Sequence, residues 1–269
     1  MLNIIVNQED KKVKEILFAI ILGIIQGLTE FLPISSSGHL MLLQEIFGIT
    51  SDNLFLSVIL HLGTLLAVVI FYFKDLASLL KPQNSKGIWH LFVATLPACI
   101  VGLFLEDVIA KRFKNMYLCF GFLFTAIVLI VADVIYKKHK IKKDLTTKSA
   151  LIMGLGQCIA LIPAISRSGT TISCGMIYGT NKEQCANFSF LLSIPIILGS
   201  VVLEAFKINT ISIGFTSVMC GIIASFVAGM FSIKIMLRVL KKNNFKWFAV
   251  YLLLLSALNF VNYFIVPIW

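Results

Sequence analysis

Two short polar stretches interrupt an otherwise apolar chain, and both carry residue types suited to handling an anion. The first reads Gln26-Gly-Leu-Thr-Glu30-Phe-Leu-Pro33-Ile-Ser35-Ser36-Ser37-Gly38-His39. Gln26 and Glu30 stand four apart, so on a helix their side chains share one face. Two such oxygen-bearing groups can hold a hard divalent cation, Mg²⁺ or Ca²⁺. The plainer reading is that they bond each other or the nearby backbone, but a carboxylate placed in apolar surroundings is costly and rarely idle. Pro33 ends the helix. Ser35, Ser36, Ser37 and Gly38 then lead into a new one, whose free N–H groups and positive dipole suit a phosphate. One serine would be enough for an N-cap; three exceed that need. His39 can act as general acid or base, or orient a serine.

The second stretch reads Pro163-Ala-Ile-Ser166-Arg167-Ser168-Gly169-Thr170-Thr171. Arg167 is the only Lys or Arg in either interrupted segment. An arginine at the centre of a membrane helix costs roughly 2.5–3.5 kcal/mol on insertion scales, and its planar fork of donors matches phosphate bidentately. An ion pair with Glu30 serving assembly alone is the plainer reading. Together the stretches offer anion donors, one carboxylate and one histidine, a set suited to phosphoryl chemistry rather than to sugar or amine binding.

The elements that must position these residues are membrane helices. Of the 269 residues, 58% are hydrophobic and 13% charged, against about 45–50% and about 25% in soluble domains. Residues 54–73, 115–132, 184–203 and 247–269 contain no Asp, Glu, Lys or Arg, and runs of about 18 such residues read as spans. Full spans are expected near 54–73, 88–106, 116–136, 184–206, 212–237 and 247–267. The segments Ile16–Phe47 and Ser149–Gly179 break at the polar stretches, and each half is too short to cross. They are expected to be re-entrant helical hairpins, whose irregular backbone survives at depth only when buried in protein or facing a polar cavity. The fold class is therefore an all-α polytopic membrane protein, one domain over 1–269, with about six transmembrane helices and two re-entrant hairpins.

The breaks also match each other. At a constant offset of 131 residues, Gly23 pairs with Gly154, Gln26 with Gln157, Ser35 with Ser166, Ser37 with Ser168 and Gly38 with Gly169. This predicts an internal repeat, about 16–136 and about 149–267. Each copy holds one hairpin and three spans; three is odd, so the second copy must be inverted. Broken helices meeting near the midplane in inverted repeats build membrane sites.

The net charge of +10 sits in short loops, which argues for topology and against nucleic acid. Lys74, Lys81, Lys86, the six lysines from Lys137 to Lys148, Lys182, Arg238, Lys241, Lys242 and Lys246 fall on one side. Lys11, Lys12, Lys14, Lys111, Arg112, Lys114 and Lys207 fall on the other. The richer side is expected to be cytoplasmic, leaving both termini outside. The six cysteines read as small buried apolar residues, and the N-terminus lacks a signal-peptide cleavage pattern. His61, mid-span, is expected to bond across helices. Asp133, Glu106, Asp107 and Glu204 are expected near headgroups, Lys74, Lys241 and Lys242 as interfacial anchors, and Tyr72, Trp89, Trp247 and Trp269 in an aromatic belt.

These residues resemble the bacterial undecaprenyl-diphosphate phosphatases of the bacitracin-resistance type. Gln26 and Glu30 match the family's (E/Q)-x-x-x-E motif, and Ser35, Ser36, Ser37, Gly38 and His39 its S-S-x-G-H motif. Pro163, Ser166, Arg167, Ser168 and Thr171 match its P-G-x-S-R-S-x-x-T motif, with Ala164 in place of the usual glycine. The resemblance runs along essentially the whole chain, including 187–195. It implies release of the terminal phosphate of a polyprenyl diphosphate, a divalent cation, and a site opening to the outer face of the cytoplasmic membrane. On that basis Gln26 and Glu30 are expected to place the metal, and Ser36 to be the nucleophile with His39 as its base or as leaving-group acid. Arg167 is expected to hold the transferring phosphate with Ser35, Ser37, Gly38, Ser166, Ser168, Gly169 and Thr171. Attack by water activated at Glu30 stays open. The tail is expected to lie between spans in the lipid, so that the protein need recognise only the head. A secondary transporter or polyprenyl-phosphate flippase using the same repeats is the main rival, and both monomer and homodimer remain open.

Overall fold

The computed structural model describes residues 2–47, 54–205, 213–241 and 245–268. Lys207, Lys242 and Trp269 lie outside the described residues, as do the side chains of Glu106, Asp107, Lys111, Arg112 and Glu204. The elements are helices: α1 (Leu2–Phe31), α2 (Ser36–Ile46), α3 (Leu54–Phe71), α4 (Phe73–Leu79), α5 (Ser85–Arg112) and α6 (Leu118–Lys138). Then follow α7 (Thr147–Ile159), α8 (Arg167–Tyr178), α9 (Lys182–Ala205), α10 (Phe215–Lys241) and α11 (Lys246–Phe264). The only pairing of strand type among the described residues is a bridge between Lys143 and Thr180.

Among the described residues five helices, α5, α6, α9, α10 and α11, are long and apolar enough to span a membrane. A sixth span is formed only if α3 and α4 are taken together across a 72° bend. The expected span 54–73 therefore ends at Phe71, just ahead of Lys74 and Asp75. The chain is a multi-pass membrane protein. Its outward faces carry Phe92, Leu103, Phe104, Phe231 and Leu254, all exposed, as lipid contact requires. Trp89 and Trp247 are exposed as well. Tyr72, expected in the aromatic belt, is instead buried, and its hydroxyl donates to Asn187 Oδ1 at 2.8 Å. Cys99, expected to be buried, is exposed; in lipid a thiol on an outward face costs little, because its surroundings are still apolar.

Both breaks fall where the sequence places them. α1 stops at Phe31, before the residues that Pro33 restricts, although it begins at Leu2 rather than near Ile16. Its extra turns include the charged run Glu9–Glu15. α7 starts on a capping box between Thr146 and Ser149, and α8 ends at Gly179, whose φ of 93° is open to glycine at little cost.

The helices before the breaks pack tightly on spans. α1 lies along α10, and α7 along α5. A Cβ on Gly23 would come within 2.4 Å of the Gly221 carbonyl oxygen, and one on Gly154 within 2.3 Å of the Ala94 carbonyl oxygen. Small residues let these backbones meet where lipid supplies no hydrophobic drive. Serine hydroxyls add bonds across helices, from Ser225 to the Leu60 carbonyl and from Ser232 to the Leu28 carbonyl, each 2.7 Å.

Candidate active site

The two breaks meet, and Glu30 is the centre of the meeting. It sits on the last turn of α1 and is 7% exposed. Its Oε2 accepts from Gln26 Nε2 at 2.9 Å and from Ser36 Oγ at 2.6 Å. Its Oε1 pairs with Arg167, the first residue of α8. The i, i+4 spacing of Gln26 and Glu30 thus places them in contact, and the ion pair joins residues 137 apart in sequence.

Capping geometry explains why the loops hold their shape. Ser35 caps α2 by accepting from Gly38 N (3.3 Å), and Ser166 caps α8 by accepting from Gly169 N (3.1 Å). Each capping hydroxyl also lies 3.3 Å from the hydroxyl two residues on, Ser37 or Ser168. The residues matched at offset 131 therefore repeat one local design. The loops are tied together by Ser168 Oγ donating to the Leu32 carbonyl at 2.9 Å and Ala164 N donating to Ser37 Oγ at 3.4 Å. Thr171, with its hydroxyl 2.6 Å from that of Ser189, ties α8 to α9.

Among the described residues, two that are not glycine have positive φ, Ser35 at 69° and Ala164 at 66°. Ala164 stands where the motif ordinarily has glycine. Ala164→Gly is expected to stabilise the folded protein by about 1 kcal/mol, since the side-chain clash of that conformation disappears. A melting temperature in detergent equal to or below that of the wild type would contradict it.

A cavity of about 430 Å³ opens beside the ion pair, lined by Glu30, Ser35, Ser36, Ser37, Ser166 and Arg167, and also by His61 and Gln157. Of the expected phosphate-binding residues, Ser35, Ser37 and Ser166 face this space. Gly38, Ser168, Gly169 and Thr171 do not line it and lie behind, and Gln26 is fully buried. His39 departs further from expectation. Its Nδ1 donates to the Ser35 carbonyl at 2.7 Å, which places a proton on that nitrogen, and its Nε2 lies 2.6 Å from the Tyr251 hydroxyl. Both ring nitrogens are committed away from Ser36, because one turn of α2 carries the ring back over the Ser35 cap toward α11. The direct partner of Ser36 is Glu30.

Two further residues line the site, neither of them expected there from the sequence. His61, on α3, donates from Nδ1 to the Ser57 carbonyl at 2.7 Å, and its Nε2 lies 3.8 Å from Glu30 Oε2. It bonds its own helix rather than a neighbour; its only signal was being the one titratable group in an apolar run. Gln157 is 1% exposed, and both of its amide atoms lack partners, as do Arg167 Nη1 and Gln26 Oε1. Its signal was the pairing with Gln26 at offset 131. Buried polar atoms without partners are costly; Gln157 and Arg167 both line the cavity, which marks a place for a polar ligand.

Among the described residues no group of three or more His, Cys, Asp or Glu could hold a metal. One carboxylate and the unpartnered Gln26 Oε1 do fit a cation that keeps water and arrives on phosphate oxygens, the usual habit of Mg²⁺.

Known proteins give the same direction. The family model of bacitracin resistance protein BacA matches residues 19–258. The chain is 37% identical to undecaprenyl-diphosphatase 1 of Shouchella clausii, over 91% of this chain and 96% of that protein. It is 39% identical to an undecaprenyl-diphosphatase of Caldicellulosiruptor bescii, with the same coverage. Undecaprenyl-diphosphatase 4 of Bacillus thuringiensis is 41% identical, over 91% of this chain and 98% of that protein. The matched residues take in both breaks, and the chain belongs to the bacitracin resistance protein BacA family.

Proposed function

We propose that this protein hydrolyses undecaprenyl diphosphate to undecaprenyl phosphate and inorganic phosphate. Its setting is the bacterial cytoplasmic membrane, where it recycles the lipid carrier of cell-wall polymers and so confers bacitracin resistance. The observation that carries this is the convergence of Ser36, Glu30 and Arg167 on one cavity inside an apolar bundle. The diphosphatase names of the relatives supply the substrate.

The residues take the following roles. Arg167 turns its fork from Glu30 to the terminal phosphate, where Nη1 gains the partner it lacks, and Ser35, Ser37 and Ser166 add hydroxyl donors. Ser36 Oγ gives its proton to Glu30, already 2.6 Å away, and attacks the terminal phosphorus. The anhydride bond breaks and undecaprenyl phosphate leaves. Water then attacks the phosphoserine, its proton passing to His61 Nε2, while Glu30 returns the first proton to Ser36 Oγ as the phosphorus–serine bond breaks and inorganic phosphate leaves. His39 positions the Ser35 turn rather than touching substrate. Glu30 and Gln26 would hold Mg²⁺ or Ca²⁺, which when bound offsets charge on the diphosphate oxygens.

The inverted arrangement of the two repeats is supported by reciprocal packing. The first helix of each hairpin lies on the middle span of the other repeat, α1 on α10 and α7 on α5. The lysine-rich loops support termini outside and a site open to the outer face.

The test is phosphate release by the purified protein in detergent. Release should stop on chelation and return with Mg²⁺ or Ca²⁺. Release at full rate in chelator would remove the cation from this account.

A further inference from the structure

We propose that the groove between α5 and α9 holds the first isoprene units of the substrate's tail, so that protein as well as lipid orients the diphosphate. This rests on the phosphatase reading above and replaces the expectation that only the head is recognised.

The groove encloses about 410 Å³, with Ala98 and Cys99 on the α5 side and Gly199 and Leu203 on the α9 side. Three of its lining residues, Leu161, Ile196 and Ser200, also line the polar cavity. The two spaces therefore share a wall, and polar lining gives way to apolar lining at Ser200. That is the order of chemistry along a polyprenyl diphosphate, with its charged head joined to a hydrocarbon chain. Small side chains make the groove. A Cβ built on Gly199 meets nothing within 4 Å, in contrast to Gly23 and Gly154, whose small size is taken up by a neighbouring backbone. Glycine inside a helix costs about 1 kcal/mol relative to alanine, and at Gly199 no protein atom fills the space that it leaves.

A larger groove, about 600 Å³, lies between α1 and α10 and is lined by apolar residues such as Ile24, Ala224 and Val227. It shares no lining residue with the polar cavity, so it gives no direct way to a chain whose head sits at Arg167. Lipid is as apolar as either groove, so transfer out of lipid supplies no drive. What the α5–α9 groove supplies is a fitted track that fixes the direction from which the head enters.

The test uses Gly199→Phe, which fills the groove, and Val227→Phe, which alters the other one. KM for undecaprenyl diphosphate should rise roughly tenfold in Gly199→Phe, the scale of a mismatched apolar group in a pocket. KM for methyl diphosphate, which has the head and no isoprene unit, should stay at the wild-type value, and Val227→Phe should match wild type on both. Unchanged KM for the long substrate in Gly199→Phe would overturn the proposal. A polyprenyl diphosphate carrying a photoreactive group near its head provides a readout that needs no turnover. Crosslinks in wild type should fall on 98–103 and 196–203; crosslinks on α1 and α10 instead would overturn the proposal. If wild type releases no phosphate from either substrate, the phosphatase reading fails, and the crosslink positions alone decide the groove.

Discussion

Arg167→Ala is expected to lower kcat/KM for undecaprenyl diphosphate by about 10³–10⁵-fold, the range for losing an arginine that stabilises a transferring phosphoryl group. The same change is expected to destabilise the protein, because Glu30 would keep its buried charge without a partner. Removing one member of a buried ion pair costs about 3–5 kcal/mol. The two effects can be separated. A double variant, Glu30→Gln with Arg167→Met, removes both charges and should regain much of the lost stability while remaining inactive. If stability and activity return together, the ion pair serves assembly, and the catalytic role of Arg167 is wrong. Arg167→Lys keeps the charge without the planar fork and should recover only a small part of the rate.

Ser36→Ala is expected to abolish turnover, with a loss of roughly 10⁴-fold or more, as when a nucleophile is removed from a working catalytic group. Stability should change little, since Ser36 is only partly buried and gives up one hydrogen bond. Rapid acid quenching of wild type with substrate labelled in its terminal phosphate should trap label on Ser36. Full activity in Ser36→Ala, with no trapped label, would transfer the attack to a water held by Glu30. The geometry favours the serine because Ser36 Oγ already donates to a carboxylate oxygen at 2.6 Å.

Much of the site was legible because its rules are local. Four-residue spacing placed Gln26 against Glu30. Proline and serine patterns placed both breaks and both caps, and the cost of burying an arginine pointed to a partner or an anion. What the sequence did not disclose depends on which way a helix faces after a break. His39 follows Ser36 by three residues in α2, yet its ring is drawn to Tyr251 on α11, 212 residues away. Nothing in the local pattern encodes that contact. His61 reaches Glu30 only because α3 packs beside α1. Tyr72 looked like a belt residue by type and position, but an acceptor on α9, Asn187 Oδ1, takes its hydroxyl and the ring is buried. Ala164 was visible as a departure from glycine, and the backbone there does take a glycine-like angle. The spans were the easiest to read, since long apolar runs have few alternatives. The bend after Phe71 and the early start of α1 were not, because neither changes the hydropathy pattern decisively.

The most direct test of the central claim is phosphate release from undecaprenyl diphosphate by the purified protein in lipid vesicles, with Mg²⁺ present, in wild type, Glu30→Ala and Arg167→Ala. Release by wild type and its loss in both variants, with each variant still folded, is the predicted result, and it would make the two breaks one catalytic site. No release from folded wild type across several cations and chain lengths, with lipid moved between leaflets instead, would contradict the account and favour transport.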